Sequence, residues 1–460
     1  MQLPLPSVTL DYTLHDLYSL DGGRPSDIVL AYAYSVPRVQ AASSLPLSKK
    51  YTFQNPRAPD VSDQDLATEL LQSVPQRYGF VAGKMSLILF DLDLDASEAA
   101  LRRDEATSTR PYHLDIMEVY SQLSPGQQPK VEFVQNAAKI ALPPHFRLAV
   151  LNPMDCLEHL PHVVCPDVHY SLLSKRGLML SGLPTPPSYA IDTLLRPGET
   201  RNRSRVDAEI ERMILPLRER SLPFVVKVTQ ASSSEGTFLI SSELDRLAAI
   251  QTLHIELQDM LKALNTRNEH LFPCSLIVQE FIPGDCMTAS IFVTREGRGV
   301  LISCCKQLFN QSGMWKGGCI SYLEHEQLER TYSVMLAEVA KFLYTQGYHG
   351  PAGVDFIHDS SGSPLILDLN ARVTGTFQLG CLRGNFTRRG LFEATLLSPL
   401  SIPCSKNSFI MHFESDFKSG RIVITSWITQ MPSKANVAAL TLAGKDKDDL
   451  ERLIADVKSF

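Results

Sequence analysis

In the stretch Leu367-Asp368-Leu369-Asn370-Ala371-Arg372, apolar and polar residues alternate without interruption. A β-strand turns successive side chains to opposite faces. A strand here sends Asp368, Asn370 and Arg372 one way, and Leu367, Leu369 and Ala371 the other way, towards a core. A carboxylate, an amide oxygen and a guanidinium then stand in one row. Magnesium takes hard oxygen ligands, and phosphate oxygens complete its shell. A fixed arginine beside it meets developing negative charge. Asp355, between Val354 and Phe356, would complete the metal site from the neighbouring strand. The same pattern also suits an amphipathic edge strand closed by a salt bridge.

Two other segments have chemistry of a related kind. Lys227 follows the apolar stretch Pro223 to Val226 and precedes a loop of small residues, Gln230 to Thr237. A lysine before such a loop can hold a nucleotide's phosphates while loop N–H groups cover them. It also reads as a strand-end lysine before an ordinary turn. Glu235 departs from an all-small loop, since its charge must point away from phosphate. In Val278-Gln279-Glu280-Phe281-Ile282-Pro283-Gly284-Asp285, a strand end can offer backbone groups to an adenine ring and an acid to the ribose. A strand ending in a Pro-Gly turn accounts for that piece equally well.

The rest of the chain bounds the answer. At 460 residues it has room for several domains and sizeable cores. The net charge of -6 is spread without a basic block, which argues against a nucleic-acid partner. The start, MQLPLPSVTLDYTLHDLYSL, lacks the pattern of a secretory signal, and no apolar run is long enough to span a bilayer. Nine cysteines without a Cys-x-x-Cys pair fit a reducing, cytoplasmic setting. Asp27 to Tyr34, Met85 to Phe90 and Arg147 to Leu151 read as buried strands of an N-terminal domain. Asp91, Asp93 and Asp95 lack the glycine and glutamate of a calcium loop and read as a strand end leading into a solvated helix. Further on, helices are expected over Ser174 to Ser181, around Val206 to Leu217, from Ser242 onwards, along Leu328 to Phe342 and at the C-terminus. Strands are expected at Phe224 to Thr229, Ser275 to Ile282, Thr288 to Thr294, Val300 to Cys305, Gly353 to His358 and Pro364 to Arg372.

In order and spacing, these pieces resemble the ATP-grasp superfamily over about Pro166 to Leu400, and in particular its carboxylate–amine ligases of the amino-acid or dipeptide type. Lys175, before the Gly182-Leu183-Pro184 turn, is similar to the family's first lysine, and Lys227 to its second. Gln279, Glu280 and Ile282 match the adenine hinge. Lys306 resembles a further nucleotide contact. Asp355, Asp368 and Asn370 match the metal ligands, and Arg372 the catalytic arginine. The hinge begins with Gln279 where many members have glutamate. The ribose acid falls at Cys286, leaving Asp285 to serve one place away.

The resemblance implies a mixed α/β and α+β chain with an ATP-grasp fold. Residues 1–165 would form an N-terminal α/β domain, 166–285 a lid subdomain, 286–400 a C-terminal subdomain with the metal site, and 401–460 an extension ending in a helix. It further implies ATP and magnesium, two ions rather than one, with manganese as a substitute. The implied chemistry activates a carboxylate by phosphorylation, releases ADP and phosphate, and joins small-molecule carboxylate and amine substrates, with a homo-oligomer left open. A non-catalytic ATP-binding protein and a ligase acting on a protein tail are the competing readings. For the acceptor, Gly313 to Gly318 with Trp315 and Lys316 reads as a substrate loop or as a surface turn. Arg383 and the Thr374-Gly375-Thr376 turn follow close to the presumed carboxylate.

Overall fold

The computed structural model describes residues 6–34, 45–54, 65, 68–90, 111–231, 236–310, 313, 315–429 and 436–460. Among these residues, strands gather into three sheets. The first is parallel, in the order β3-β2-β1-β4, from β1 (Ile28–Tyr32), β2 (Ser86–Phe90), β3 (Lys130–Val134) and β4 (Arg147–Val150). Its central strands are apolar at every position after the exposed Ser86 that starts β2, because both faces are covered. Leu30, Tyr32, Leu87 and Leu89 enter one core, and Val29, Ala31, Ile88 and Phe90 another. The expected string Asp91, Asp93 and Asp95 lies outside the described residues, as does most of the loop after Lys227 (232–235).

The second sheet is antiparallel, in the order β5-β8-β6-β7, from β5 (Ser188–Asp192), β6 (Phe224–Val228), β7 (Thr237–Ile240) and β8 (Ser275–Glu280). The helices Arg203–Glu219 and Glu243–Ala263 share its core through Ile210, Met213, Ile214, Leu217, Leu253 and Leu257. Pro216 sits inside the first helix, which runs on to Glu219 and keeps Leu217 buried. Ser242 and Asp245 form a reciprocal capping box at the start of the second.

The third sheet has eight antiparallel strands, in the order β13-β12-β9-β10-β11-β14-β16-β15. They are β9 (Met287–Val293), β10 (Gly299–Phe309), β11 (Trp315–Ser321), β12 (Gly350–His358), β13 (Pro364–Asn370), β14 (Glu393–Ile402), β15 (Ile422–Ile428) and β16 (Asn436–Gly444). The helix His325–Thr345 lays Tyr332, Met335, Val339 and Leu343 into one core with Ala289, Ile291, Val354, Phe356, Ile366 and Leu369. Another core is shared between this sheet and the N-terminal sheet. Residues 401–460 do not hang off the end as an extension. Two of their segments are strands of the large sheet, and the helix Lys447–Ser459 buries Leu450, Leu453 and Val457 in the shared core.

Phe356 is fully buried behind the strand that carries Asp355, with its ring edge-on to Tyr332 at 4.7 Å. Phe356→Ala is expected to lower the unfolding free energy by about 3–5 kcal/mol in urea titrations. Leu239→Ala, at a half-exposed position of the second sheet, is expected to cost less than about 0.5 kcal/mol.

Candidate active site

Asp355 on β12 and Asp368 on β13 are direct cross-strand partners. The register then slips, so that Phe356 faces Ile366 and Leu367 is left over as a bulge. This corrects the simple alternation. Ile366, Leu369 and Ala371 enter the core while Leu367 does not, and the Leu367 carbonyl instead accepts a hydrogen bond from Lys227 Nζ at 2.7 Å. The strand also stops at Asn370, two residues early. Arg372 follows in a bend, its backbone N–H donating to the Asn370 carbonyl at 2.7 Å.

Four charged groups crowd this edge. Lys175 Nζ binds Asp368 Oδ2 at 2.9 Å. It starts the helix Lys175–Met179, capped by Ser174, and its own N–H donates to the Thr229 carbonyl just past β6. Burial pushes the Asp368 carboxyl up, but the charges of Lys175 and Lys227 outweigh this and hold it below the usual range. Asp355 goes the other way. Burial, then the charge of Asp368, push it up to about 6 against hydrogen bonds from Thr288 and Gln307. Asn370 Nδ2 lies 3.4 Å from a carboxylate oxygen of each. Lys227 is buried and lowered to about 8 by desolvation, with Asp368 pulling the other way. Among the described residues no acid forms an ion pair with it.

Lys175, Lys227, Asp355, Asp368 and Asn370 thus come together. The hinge residues border them. Gln279 is buried within β8, and Glu280 ends that strand, its N–H donating to the Pro187 carbonyl. Ile282 lies in the link that crosses to β9. Lys306 and Asp285 pair with each other at 2.6 Å and are exposed. It is the next residue on β10, Gln307, that reaches Asp355. Cys286 is closer in than Asp285: its thiol feels the charges of Asp355, Lys227 and Asp368, and burial pushes it up.

Two contributors, Tyr34 and His169, come from outside the motif. Arg372 Nε donates to the Tyr34 hydroxyl at 2.8 Å, and the guanidinium lies 5.7 Å from that ring's centre. Tyr34 comes just after β1, at the carboxyl ends of a parallel sheet, where such sheets gather ligands; that position was the available signal. Arg383, expected near the same carboxylate, instead donates to Tyr12 and faces Asp11. His169 Nε2 meets the Ala371 carbonyl at 2.7 Å, bracing the bend from the other side. A cavity of about 30 Å³ lies between Arg372, His162, His169 and Tyr32, room for about one water.

The donor set fits magnesium. Two facing carboxylates, one of them pushed up by burial and then by the other's charge, are relieved by a divalent cation, and a half-turn of the Asn370 amide adds a third hard oxygen. Among the described residues no three His, Cys, Asp or Glu side chains converge, so phosphate oxygens would have to complete the shell.

An ATP-grasp domain model matches residues 212–376. The chain carries an ATP-grasp domain. The match reaches from the first helix of the small antiparallel sheet to just past Arg372, and so includes every site residue above except Lys175 and the N-terminal supports. The D-alanine--D-alanine ligase of Pelotomaculum thermopropionicum is 25% identical over 201 residues, 43% of this chain and 56% of that ligase. The chain thus spans about half the length of that curated relative. Solved structures with a loose likeness include the ADP-bound N5-carboxyaminoimidazole synthetase of Staphylococcus aureus (9% identity, 84% of this chain and 94% of that one, TM-score 0.48). Another is the L-amino acid ligase of Bacillus licheniformis (13% identity, 73% and 88%, TM-score 0.45). Neither likeness is close enough to assign a substrate. Among the described residues, no helix is long and apolar enough to cross a membrane.

Burial lowers His169 to about 4, so it is neutral in the folded state. Its contribution to stability is complete above the ordinary value near 6.5 and drains as pH falls towards 4. At pH 5 the loss is expected to be about 2 kcal/mol relative to pH 7.5. His169→Gln, compared by urea unfolding at both pH values, should lose that much less on acidification.

Proposed function

We propose that this ATP-grasp chain is an ATP-dependent, ADP-forming carboxylate–amine ligase. The observation that carries the reading is the buried Lys227, a cation with no acid paired to it among the described residues, beside the facing carboxylates Asp355 and Asp368. Such an arrangement is electrostatically incomplete without an anion and a divalent cation, which Mg-ATP supplies together.

In this reading Lys175 and Lys227 hold ATP phosphates. Gln279, Glu280 and Ile282 border the adenine, with Lys306 and Asp285 at the rim. Asp355, Asp368 and Asn370 hold magnesium, or manganese in its place, one ion or two. When bound, the metal neutralises phosphate charge during transfer. A substrate carboxylate oxygen attacks the γ-phosphorus as the bond to the β-phosphate oxygen breaks, giving an acyl phosphate and ADP. An amine then attacks the acyl carbon and phosphate leaves. Arg372, held by Tyr34 and the bend at Ala371, is aimed at the charge that develops in both steps. The substrates are small molecules, an amino acid or a similar carboxylate joined to an amine.

Chromatography of nucleotides from ATP incubated with amino-acid mixtures tests the reaction. ADP, stimulated by a carboxylate, is expected. AMP would rule out the acyl-phosphate course, and no stimulation by any carboxylate would favour a non-catalytic nucleotide-binding protein. Arg372→Lys keeps the charge but loses the planar fork, so turnover is expected to fall by on the order of 100-fold while ATP affinity changes little.

Lys227 provides a pH test. With its ammonium lowered to about 8, the cation is present at pH 7 and lost as pH rises above that value. ATP affinity by calorimetry is expected to fall by up to about tenfold per pH unit above 8. Lys227→Arg, always charged, should flatten the profile. A wild-type affinity constant to pH 9.5 contradicts the assignment.

A further inference from the structure

Five lysines and arginines are buried among the described residues: Arg77, Lys175, Lys227, Arg246 and Lys406. Three of them have a carboxylate in ion-pair range: Lys175 with Asp368, Arg246 with Glu243 and Lys406 with Asp115. The fourth, Lys227, belongs to the nucleotide site described above. Arg77 remains, and nothing in that site uses it.

Arg77 lies on the N-terminal domain's short helix Val74–Gly79 and is only 5% exposed. One guanidinium nitrogen donates to the Ser398 hydroxyl on β14, while the buried Nε has no hydrogen-bond partner among the described residues. Removing a guanidinium from water without an anion is costly, because its lost hydration is not replaced. Its surroundings point towards the reaction centre. The guanidinium lies 5.5 Å from the centre of the Trp315 ring and 5.1 Å from that of Tyr78. The Trp315 ring packs so closely on Gly375, three residues after Arg372, that a Cβ there would come within 2.5 Å of it. Tyr78 is hydrogen-bonded to Tyr34, the residue that orients Arg372. Arg77 therefore stands one aromatic layer away from Arg372, on the side of the large sheet that β11 and β14 form. Glu69, the acid whose carboxyl feels Arg77 and Lys316, forms no ion pair with either. Burial pushes its carboxyl up, against the charges of Arg77 and Lys316.

We propose that Arg77 binds a second substrate carboxylate, the one that is not phosphorylated, so that the amine-bearing substrate is an amino acid with a free carboxyl group and Trp315 forms the wall of its subsite. This rests on the ligase reading. The carboxylate to be activated belongs beside Arg372 and the γ-phosphate, and the tyrosine pair Tyr34–Tyr78 separates that place from Arg77. A planar guanidinium with an open Nε edge suits a carboxylate's two oxygens.

The test measures binding, so that it does not depend on turnover. The twenty standard amino acids and their carboxamides are titrated by calorimetry into the full chain with magnesium and a non-hydrolysable ATP analogue. At least one free acid is expected to bind on the order of 10- to 100-fold more tightly than its carboxamide, the range for losing a hydrogen-bonded charge. Arg77→Gln should remove that preference, and Arg77→Lys should restore part of it, with ATP-analogue affinity on the same samples reporting their fold. Equal binding of acid and carboxamide by the wild type, no amino-acid binding at all, or a preference that survives Arg77→Gln in a variant that still binds the analogue would each overturn the inference. Failure of the ligase reading would be distinguishable: the acid preference would persist, yet no ADP would be released with any substrate pair.

Discussion

Asp355 and Asp368 face each other across the β12–β13 ladder, and their mutual repulsion sets the character of everything around them. Burial alone would push both carboxyls up. Lys175, in contact with Asp368, and Lys227, on β6 of the smaller sheet, tip that residue to the ionised side, while Asp355 is left high. The two lysines come from the smaller sheet and its preceding helix, and the two acids from the edge of the larger one. The cleft between the sheets is therefore defined by charge. The bulge at Leu367 serves the same arrangement, since its carbonyl accepts a hydrogen bond from Lys227, which forms no ion pair with an acid among the described residues.

The N-terminal parallel sheet takes part in this site. It is joined to the large sheet through a continuous apolar core, and that rigidity lets Tyr34 fix the direction of Arg372. His169 performs the complementary task on the backbone, donating from Nε2 to the Ala371 carbonyl just before the arginine. Both contacts sit at the carboxyl ends of the parallel strands or just beyond them. The acceptor side, with Trp315 and Arg77, extends along the same line of strands from β12 through β9 and β10 to β11.

Much of this was legible in the sequence, and what was not has physical reasons. The alternation at 367–371 marked a strand and gave Asp368 and Asn370 a common face, because period two is a local property. The bulge was invisible because the partner strand sets it. Lys227 could be marked by its apolar run, but its contact with Leu367 and the pairing of Lys175 with Asp368 are long-range. The same holds for Tyr34 with Arg372, 338 residues apart. Lys306 is singled out by the resemblance as a further nucleotide contact, yet its neighbour Gln307, a polar residue without an evident role in the sequence, is the one that reaches Asp355. The strand β3 is not evident from the sequence, although Val131 and Phe133 alternate with Glu132, because its pattern is short and follows a polar, proline-containing stretch. The role of residues 401–460 could not be read, since nothing in their sequence reveals which sheet their strands join.

The central claim is that Asp355, Asp368 and Asn370 gather a divalent cation only together with nucleotide phosphates. Electron paramagnetic resonance of manganese tests it directly, with the free ion's signal followed as protein is added with and without ATP. The wild type is expected to bind manganese tightly when ATP is present and weakly when it is absent, and Asp368→Asn to weaken the ternary binding by on the order of tenfold or more. Equal manganese binding by the wild type and a folded Asp368→Asn variant in the presence of ATP would contradict the account.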